Sequence, residues 1–365
     1  MATATAHRVA REQVDRLCAS TGDATRLRVG ALEAIRKVVE FDAYVWLLTD
    51  PETTVGCAPL AEVPSLPELP LTIRLKYLTE VNRWTRLSAS GSATGTLLGA
   101  TGGDPSRSLL WRGVLSRYGM GDVASAVFAN RYGVWGFLDL WRSAARPAFG
   151  RDEMDLLTAV VAPLTTALQH CQAETLTDPA AAVGRELGPV VFLLDDGLDI
   201  VSQTAATNSW LDLLLPAAGG RAPVAASVDN VAAQLLALEQ GVDAHPATAR
   251  VHLSRGLWVT LRAARLEAAS ASGGVITVTM EETSPVDRLE IFSRAYALTA
   301  RERELLRLLA AGIDTRALAA RMYLAENTVQ DHLKSIFAKT SARSRQALLA
   351  RAVGVRTPEP PPRVV

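Results

Sequence analysis

Near the C-terminus, a group of hydrogen-bonding side chains is spaced as one face of an α-helix would space them. Five residues that lie three or four positions apart form this group: Asn327, Gln330, Asp331, Lys334 and Ser335. Residues at these intervals lie on the same side of a helix. Amide side chains pair with adenine, carboxylates accept hydrogen bonds from cytosine, and lysine donates to guanine. The spacing therefore predicts a helix face that can reach base edges in a major groove.

Four short helices between Leu298 and Gly354 would position this face. Thr299 and Glu302 have the spacing of a capping box, which starts the first helix. Gly312 stands where a helix C-terminus favours glycine. The other boundaries follow from similar signals: Asp314 or Thr315 caps the second helix, residues 323–325 form a turn, the third helix spans residues 326–339, and Ser344 caps the fourth.

The third helix is amphipathic, because Val329, Leu333 and Ile336 form an apolar stripe opposite the polar face. Two helices joined by a three-residue turn, with the second one amphipathic, form a helix-turn-helix arrangement. From Leu298 to Arg356 there are 11 Lys or Arg and 5 Asp or Glu, a net charge of +6 in a chain whose total is 0. A basic module of this kind is typical of a DNA-binding region.

The same region contains a set of short motifs: L-T-x-R-E-R-E at 298–304, L-L-A-x-G at 308–312, L-A at 318–319, T-V-x-x-H at 328–332, I-x-x-K at 336–339 and S-R at 344–345. With these motifs it resembles the LuxR-type helix-turn-helix of bacterial transcription regulators. The resemblance implies that Thr328 contacts phosphate or packs in the turn and that the fourth helix pairs with a second subunit. Together with the polar face, it implies these DNA-binding residues: Asn327, Thr328, Val329, Gln330, Asp331, His332, Lys334, Ser335, Lys339 and Arg343.

The third helix departs from the family pattern at three positions. Ala325 replaces the usual Ser or Thr cap, a change that costs about 1 kcal/mol of helix stability. Gln330 stands where lysine is common, and Asp331 brings a negative charge toward DNA. These departures predict a distinctive sequence readout and a lower electrostatic affinity.

The composition is that of a globular protein with two or three domains. The chain has 365 residues, of which 48% are hydrophobic and 21% are charged. No apolar run is long enough to span a membrane, and the N-terminus lacks an apolar signal core. The 3 cysteines are widely separated, which fits a reducing compartment and no metal site. We therefore expect a cytoplasmic protein without a cofactor.

Residues 1–175 are predicted to form an antiparallel sheet with helices. The predicted elements are two N-terminal helices, a strand at 44–48, a Pro-rich connection, helices near 71–78 and 106–118, a hairpin at 122–141 and a long helix from Arg151. With the segment N-R-Y-G-V-W-G-F-L-D-L-W-R at 130–142, this order of elements resembles a GAF sensor domain. Such domains bind small molecules or mediate dimerisation. Four aromatic side chains are candidates for a ligand pocket, although core packing is the better interpretation for each one separately: Trp84, Trp111, Trp135 and Trp141.

In residues 186–284, two apolar strands flank the turn Asp195-Asp196-Gly197, helices follow at 205–215 and 229–240, and three further strands end near residue 283. The order and spacing of these elements resemble those of a PAS domain. A response-regulator receiver is the competing interpretation of the segment Leu193–Asp196. A receiver requires a lysine that binds the phosphoryl group. The chain has no lysine between Lys76 and Lys334, which argues against a receiver. His245 and His252 are available as haem ligands, but a single histidine on a strand is more often structural.

The sequence therefore predicts a multidomain protein with two α+β sensor domains followed by an all-α, four-helix DNA-binding domain at 294–356 and a disordered tail at 357–365. No nucleophile elbow, phosphate-binding loop or H-E-x-x-H motif is present, so no enzyme is expected. The predicted function is regulation of transcription by a homodimer on double-stranded promoter DNA, modulated by a small-molecule ligand of either sensor domain. The alternatives are a ligand-free dimerisation scaffold with a DNA-binding end and an acyl-lactone quorum sensor.

Overall fold

The computed structural model describes residues 2–177, 190–207, 223–254, 256–266 and 274–354. The chain divides into two compact units. The first contains Met1–Cys171, Leu187–Val251 and Val259–Glu281, and the second contains Gln172–Glu186, His252–Trp258 and Glu282–Val365. Most of the predicted helix at 205–215 and the predicted tail at 357–365 lie outside the described residues. Both predicted sensor domains contribute most of their residues to the first unit.

The first unit contains a five-stranded antiparallel sheet with the strand order β2-β1-β5-β4-β3. Its strands are β1 (Ala43–Thr49), β2 (Gly56–Glu62), β3 (Thr94–Thr96), β4 (Met120–Asn130) and β5 (Gly133–Ser143). The helices before and between these strands are α1 (Ala2–Ser20), α2 (Ala24–Arg36), α3 (Leu69–Leu78), α4 (Trp84–Ser90), α5 (Leu97–Thr101) and α6 (Leu109–Gly113). α7 (Arg151–Glu174) follows the sheet. The hairpin and the long helix agree with the sequence-based prediction.

Two predictions in this part of the chain are wrong. The Pro-rich connection contains an edge strand, β2, which includes Pro59. Proline is tolerated there because an edge strand has one side on which its N–H groups need no partner. The single helix predicted at 106–118 is instead two 3₁₀ turns around the five-residue helix α6. Gly113 closes α6, so the apolar spacing of this segment does not produce a continuous helix.

A second five-stranded sheet follows, with the order β7-β6-β10-β9-β8. Its strands are β6 (Val190–Leu194), β7 (Ile200–Gln203), β8 (Thr248–Ser254), β9 (Leu257–Leu266) and β10 (Val275–Glu282), and α8 (Pro223–Glu239) lies between β7 and β8 in the chain. β6 and β7 pair across the predicted turn. In β10, Ile276, Val278 and Met280 are buried, as their alternation with polar residues predicts. When the strands of each sheet are numbered from one to five along the chain, both sheets have the strand order 2-1-5-4-3.

Within the first unit, buried ion pairs connect the segment of the first sheet to that of the second. Arg250 on β8 binds Asp50, next to β1, through two hydrogen bonds of 2.7 Å. The backbone N–H of Arg250 also donates to Asp50 at 2.9 Å. Burial alone would raise the pKa of Asp50, but the hydrogen bonds and charge of Arg250 outweigh it and lower the pKa. A buried bidentate pair of this kind fixes one orientation of the two segments.

A second buried connection involves Arg83, which is fully buried before α4. Its guanidinium binds Asp243 at 2.8 Å and the side-chain oxygen of Gln234, on α8, at 2.9 Å. It also donates to the carbonyl oxygen of Tyr77. α8 packs against α3 and β2 of the first sheet's segment. The two segments therefore share a core and a set of buried polar contacts.

The second unit consists mainly of five helices: α9 (Pro285–Ala295), α10 (Ala300–Ala310), α11 (Thr315–Met322), α12 (Glu326–Thr340) and α13 (Arg345–Val353). The last four agree with the sequence-based boundaries, and the caps are Thr299, Asp314 and Ser344 as predicted. α9 was not predicted, although Ser284 caps it and Pro285 occupies its first turn. Arg288 of α9 donates to the carbonyl oxygens of Gly256 and Arg351.

Candidate nucleic-acid interface

The helix-turn-helix is formed by α11, the turn at 323–325 and α12. Asp314 accepts a hydrogen bond from the N–H of Ala317 at 2.9 Å and so begins α11. α11 ends with the hydrogen bonds of a Schellman motif, from Leu324 to Ala319 and from Tyr323 to Ala320. α12 then runs for 15 residues. This is the arrangement in which a second helix can lie in a major groove.

The side chains of α12 separate into a buried stripe and an exposed face. Val329, Leu333 and Ile336 are buried, and they pack on the side of α12 that meets the other helices. The exposed face includes five of the predicted contact residues: Asn327, Thr328, Gln330, Asp331 and Lys334. The structure therefore brings these five together on one surface. The side chain of Val329 is not part of that surface, and His332 is only half-buried at its border.

The exposed face carries little positive charge of its own. Between residues 326 and 334 it has two carboxylates, Glu326 and Asp331, and one cation, Lys334, which gives a net charge of −1. Lys334 binds Asp331 at 3.1 Å, and both side chains are largely exposed. Exposed pairs of this kind contribute little to stability. They leave both groups available to exchange partners, and they reduce the attraction of this face for phosphate.

Three other predicted residues lie near the C-terminal half of α12, and two of them bind a buried carboxylate instead. Ser335 donates to Glu302 at 2.6 Å, and the ammonium group of Lys339 donates to the same carboxylate at 2.6 Å. Arg343 is exposed just after α12. Ser335 and Lys339 thus connect α12 to α10.

Glu302 is the centre of this connection. It is 3% exposed and also accepts a hydrogen bond from the backbone N–H of Thr299 at 2.7 Å, as part of a capping box. Burial would raise its pKa, but the hydrogen bonds from Lys339, Ser335 and Thr299 outweigh burial and lower the pKa to about 2. The carboxylate is therefore charged at neutral pH and holds α12 in place. The sequence indicated the capping role of Glu302 but not its contacts with α12.

The turn before α12 has two unfavourable features. Ala325 occupies the N-cap of α12 without a side-chain hydrogen bond, as its residue type predicts. Tyr323 adopts the left-handed conformation, with φ at 55° and ψ at 43°. Residues other than glycine and asparagine adopt it at a cost of about 1–2 kcal/mol. Tyr323 was not among the predicted contact residues. The sequence does contain a signal for it, because a bulky residue stands at a helix C-terminus where glycine is favoured.

The tryptophans of the first unit pack mostly in its core. Three of them use their indole N–H groups within the fold: Trp84 donates to Thr54, Trp111 to Met120 and Trp135 to Asn130. Trp84 also stacks on Phe137 with ring centroids 4.4 Å apart. Trp141 is also buried, and it lines a small cavity.

This cavity lies between β1, β5 and α3 and has a volume of about 30 Å³. Its polar lining includes an ion pair of 2.6 Å between Lys76 and Asp139 and the side chain of Asn230 from α8. Within the described residues, the Oδ1 atom of Asn230 and the indole N–H of Trp141 have no hydrogen-bond partner. A cavity of this size holds one or two water molecules. Pockets for small organic ligands are at least about ten times larger.

The two histidines considered for haem are engaged in local contacts. His245 binds Asp243 at 2.5 Å, and His252 lies beside Trp258 with ring centroids 5.5 Å apart. Burial, with a smaller effect of Arg288, lowers the pKa of His252 to about 4. In the described part of the chain, no three His, Cys, Asp or Glu side chains are close enough to hold a metal ion. None of the helices in these ranges is both long and apolar enough to cross a membrane.

Comparison with known proteins identifies the C-terminal region. Residues 296–352 match the family of bacterial regulatory proteins, luxR family. The "Probable HTH-type transcriptional regulator GfsR" of Streptomyces halstedii is 42% identical over 62 residues, which cover 17% of this chain and 26% of that protein. The "Probable transcriptional regulatory protein NarL" of Mycobacterium tuberculosis is 29% identical over 173 residues, covering 46% and 74%. The chain thus spans about a quarter of the length of the Streptomyces relative.

One solved structure aligns over most of the chain, but only loosely. The structure of Escherichia coli SdiA covers 94% of this chain and 96% of its own, with 14% identity and a TM-score of 0.35, which is too low to define a common fold. The match at residues 296–352 shows that the C-terminal helices carry a luxR-family domain, and both similar proteins are named as probable regulators of transcription. These matches support DNA-binding regulation of transcription as the general function.

Proposed function

We propose that this protein is a sequence-specific regulator of transcription that inserts α12 into the major groove of promoter DNA. The observation that carries the proposal is the exposed face of α12, where Asn327, Gln330 and Asp331 lie together while the opposite side of the helix is buried. Gln330 would pair with adenine and Asp331 would accept from the amino group of cytosine. Because the face has little positive charge, direct base contacts would supply much of the discrimination between DNA sequences.

The test is a titration of the full chain with the DNA upstream of its own gene, followed by fluorescence anisotropy at several salt concentrations. Gln330→Ala should weaken specific binding about tenfold and leave binding to unrelated DNA unchanged. The matched control is Gln240→Ala, which removes an exposed glutamine from the first unit and should change neither affinity. Equal binding by wild type and Gln330→Ala would remove the proposed role of α12 in base readout.

We further propose that residues 1–175 and 186–284 are GAF-like and PAS-like domains that modulate DNA binding, and that the active form is a homodimer with α13 in its interface. The shared strand order of the two sheets supports this assignment. A fragment that begins at Ser284 keeps α9 to α13 and can be compared with the full chain. Tighter binding by the fragment would mean inhibition by the preceding domains, and weaker binding would mean that they supply dimerisation. Equal binding would contradict modulation.

A second candidate for the preceding domains is a dimerisation scaffold that acts without a ligand. The predicted tryptophan site favours it, because the cavity of about 30 Å³ that Trp141 lines admits water but not an acyl lactone. Native mass spectrometry of the purified full chain separates the candidates. A bound small molecule in the intact protein would contradict the scaffold, and a ligand-free dimer would support it.

A further inference from the structure

The Schellman motif at the end of α11 requires a left-handed residue at position 323, but it does not require a tyrosine there. Tyr323 is 94% exposed, the largest exposed fraction among the large hydrophobic residues that the structure describes. Its backbone is in the left-handed conformation, which glycine would adopt without strain. So little of the ring is covered that packing within the described chain cannot compensate for this strain. A strained, exposed aromatic residue beside a binding surface is a reason to look for a role in binding.

The position of Tyr323 indicates what it would contact. It lies three residues before Glu326, where α12 begins. In a helix-turn-helix, the N-terminal residues of the second helix contact the bases, so the turn that precedes this helix lies close to the DNA strands. Tyrosine hydroxyl groups are among the donors that proteins use for phosphate oxygens.

The charge distribution also favours phosphate contacts from outside the N-terminal half of α12. The exposed N-terminal half of α12 has a net charge of −1, with Glu326 and Asp331 against Lys334. Phosphate contacts provide most of the non-specific affinity of DNA-binding proteins. The helix just before the turn carries two exposed cations, Arg316 and Arg321. α11 and the turn are therefore better suited than the α12 face to hold the DNA backbone.

We propose that the hydroxyl group of Tyr323 donates a hydrogen bond to a DNA phosphate and so positions α12 in the groove. This inference rests on the proposed function, because it assumes that α12 enters DNA. It assigns a contact that is independent of base sequence and in which the protein supplies a neutral donor. Loss of the hydroxyl should therefore weaken binding to all duplexes without changing the salt dependence.

The decisive variant is Tyr323→Phe in the full chain, measured by fluorescence anisotropy on the upstream DNA and on an unrelated duplex. We expect about tenfold weaker binding to both duplexes, the loss associated with one hydrogen bond to a charged group. The slope of log affinity against log salt should equal that of wild type, since a neutral phenol releases no counterion. Wild-type affinity in Tyr323→Phe would overturn the inference.

Tyr323→Gly tests the link between strain and binding. It should slow hydrogen exchange of the α11 and α12 amides, because the left-handed strain is removed, and yet weaken DNA binding as much as Tyr323→Phe. The matched control is Ala297→Gly, which relieves a similar φ of 52° at a side chain that has no polar group. It should leave DNA affinity unchanged. Tyr323→Gly with wild-type affinity would also overturn the inference.

The two proposals can fail separately. If the wild-type chain binds no duplex at any salt concentration, both the proposed function and the role of Tyr323 are overturned. If the wild type binds and Gln330→Ala loses specificity, while Tyr323→Phe binds like the wild type, only the role of Tyr323 is overturned.

Discussion

The core of the first unit and the exposed face of α12 use charged side chains in opposite ways. In the first unit, arginines are buried against carboxylates, as in the pairs of Arg250 with Asp50 and of Arg83 with Asp243. In the helix-turn-helix, the charged residues of the α12 face are exposed, and Lys334 and Asp331 pair only weakly in solvent. Buried pairs fix the relative position of chain segments that are far apart in sequence. Exposed pairs leave the side chains free to bind a partner.

Glu302 shows that the DNA-binding domain also contains one buried charge network. Its carboxylate binds Ser335 and Lys339, in the C-terminal half of α12. The domain therefore holds the C-terminal half of α12 with a buried carboxylate and leaves the face with Gln330 exposed to solvent. This difference separates the charges that stabilise the fold from those that are available for recognition. Variants that differ in their effect on the free energy of unfolding test it.

The largest effect on stability is expected from a substitution at Asp50. Asp50→Asn keeps the size of the side chain but leaves Arg250 without its buried counter-charge, which should cost about 3 kcal/mol in the free energy of unfolding of the first unit. Urea unfolding followed by tryptophan fluorescence measures it. Glu62→Ala, which breaks the exposed pair with Arg36, is the control and should cost less than about 0.5 kcal/mol. Equal effects of the two variants would contradict the comparison.

The next largest effect is expected at Glu302. Glu302→Gln should destabilise the C-terminal helices by about 2 kcal/mol, because Lys339 loses a buried partner. The measurement is urea unfolding with hydrogen exchange to assign the transition to α10 and α12. Glu304→Gln, on the exposed side of α10, is the matched control. A loss in Glu304→Gln as large as that in Glu302→Gln would contradict the assigned role.

The lowered pKa of Glu302 also predicts a pH dependence. Its folded pKa of about 2 lies below its ordinary value of 4.5. The stabilisation is therefore fully present above pH 4.5 and is lost as the pH falls toward 2. Circular dichroism of wild type and Glu302→Gln between pH 7 and 2 should show that the stability difference narrows in this window. A constant difference at every pH would contradict the charged hydrogen-bond network.

A smaller effect of opposite sign is expected at the N-cap of α12. Ala325→Ser restores a side-chain acceptor for the first-turn N–H groups and should stabilise the domain by about 1 kcal/mol. Hydrogen exchange of the α12 amides in the full chain measures it. Ala338→Ser, at an exposed site inside α12, should not stabilise the helix. Stabilisation by both variants would show that the effect does not come from capping.

The smallest effect on stability is expected for the exposed pair on the α12 face. Asp331→Asn should change the free energy of unfolding by less than about 0.5 kcal/mol. It should raise the affinity for unrelated DNA at low salt, because it removes a negative charge from the face, and it should reduce discrimination at the position that Asp331 reads. Anisotropy titrations on matched and mismatched duplexes measure both effects. Unchanged binding would place Asp331 away from DNA.

Several features of this protein could be predicted from the sequence because they depend on neighbouring residues. The caps at Thr299, Asp314 and Ser344, the uncapped start of α12 and the turn at Asp195-Asp196-Gly197 all involve groups within a few positions of one another. Capping and turn formation are local, so residue type and spacing are sufficient to indicate them. The exposed face of α12 follows from the same periodicity.

Tertiary structure alone decided which distant residues meet. Asp50 and Arg250 are 200 positions apart, and Glu302 and Lys339 are 37 apart. Such pairs leave no periodic signal in the sequence, because they depend on how separate elements pack. For the same reason, the sequence showed that Trp84, Trp135 and Trp141 are aromatic but not that the first two fill the core while Trp141 borders a cavity of water size. Local hydrogen bonding determined the helix-turn-helix, whereas packing between remote segments determined the first unit.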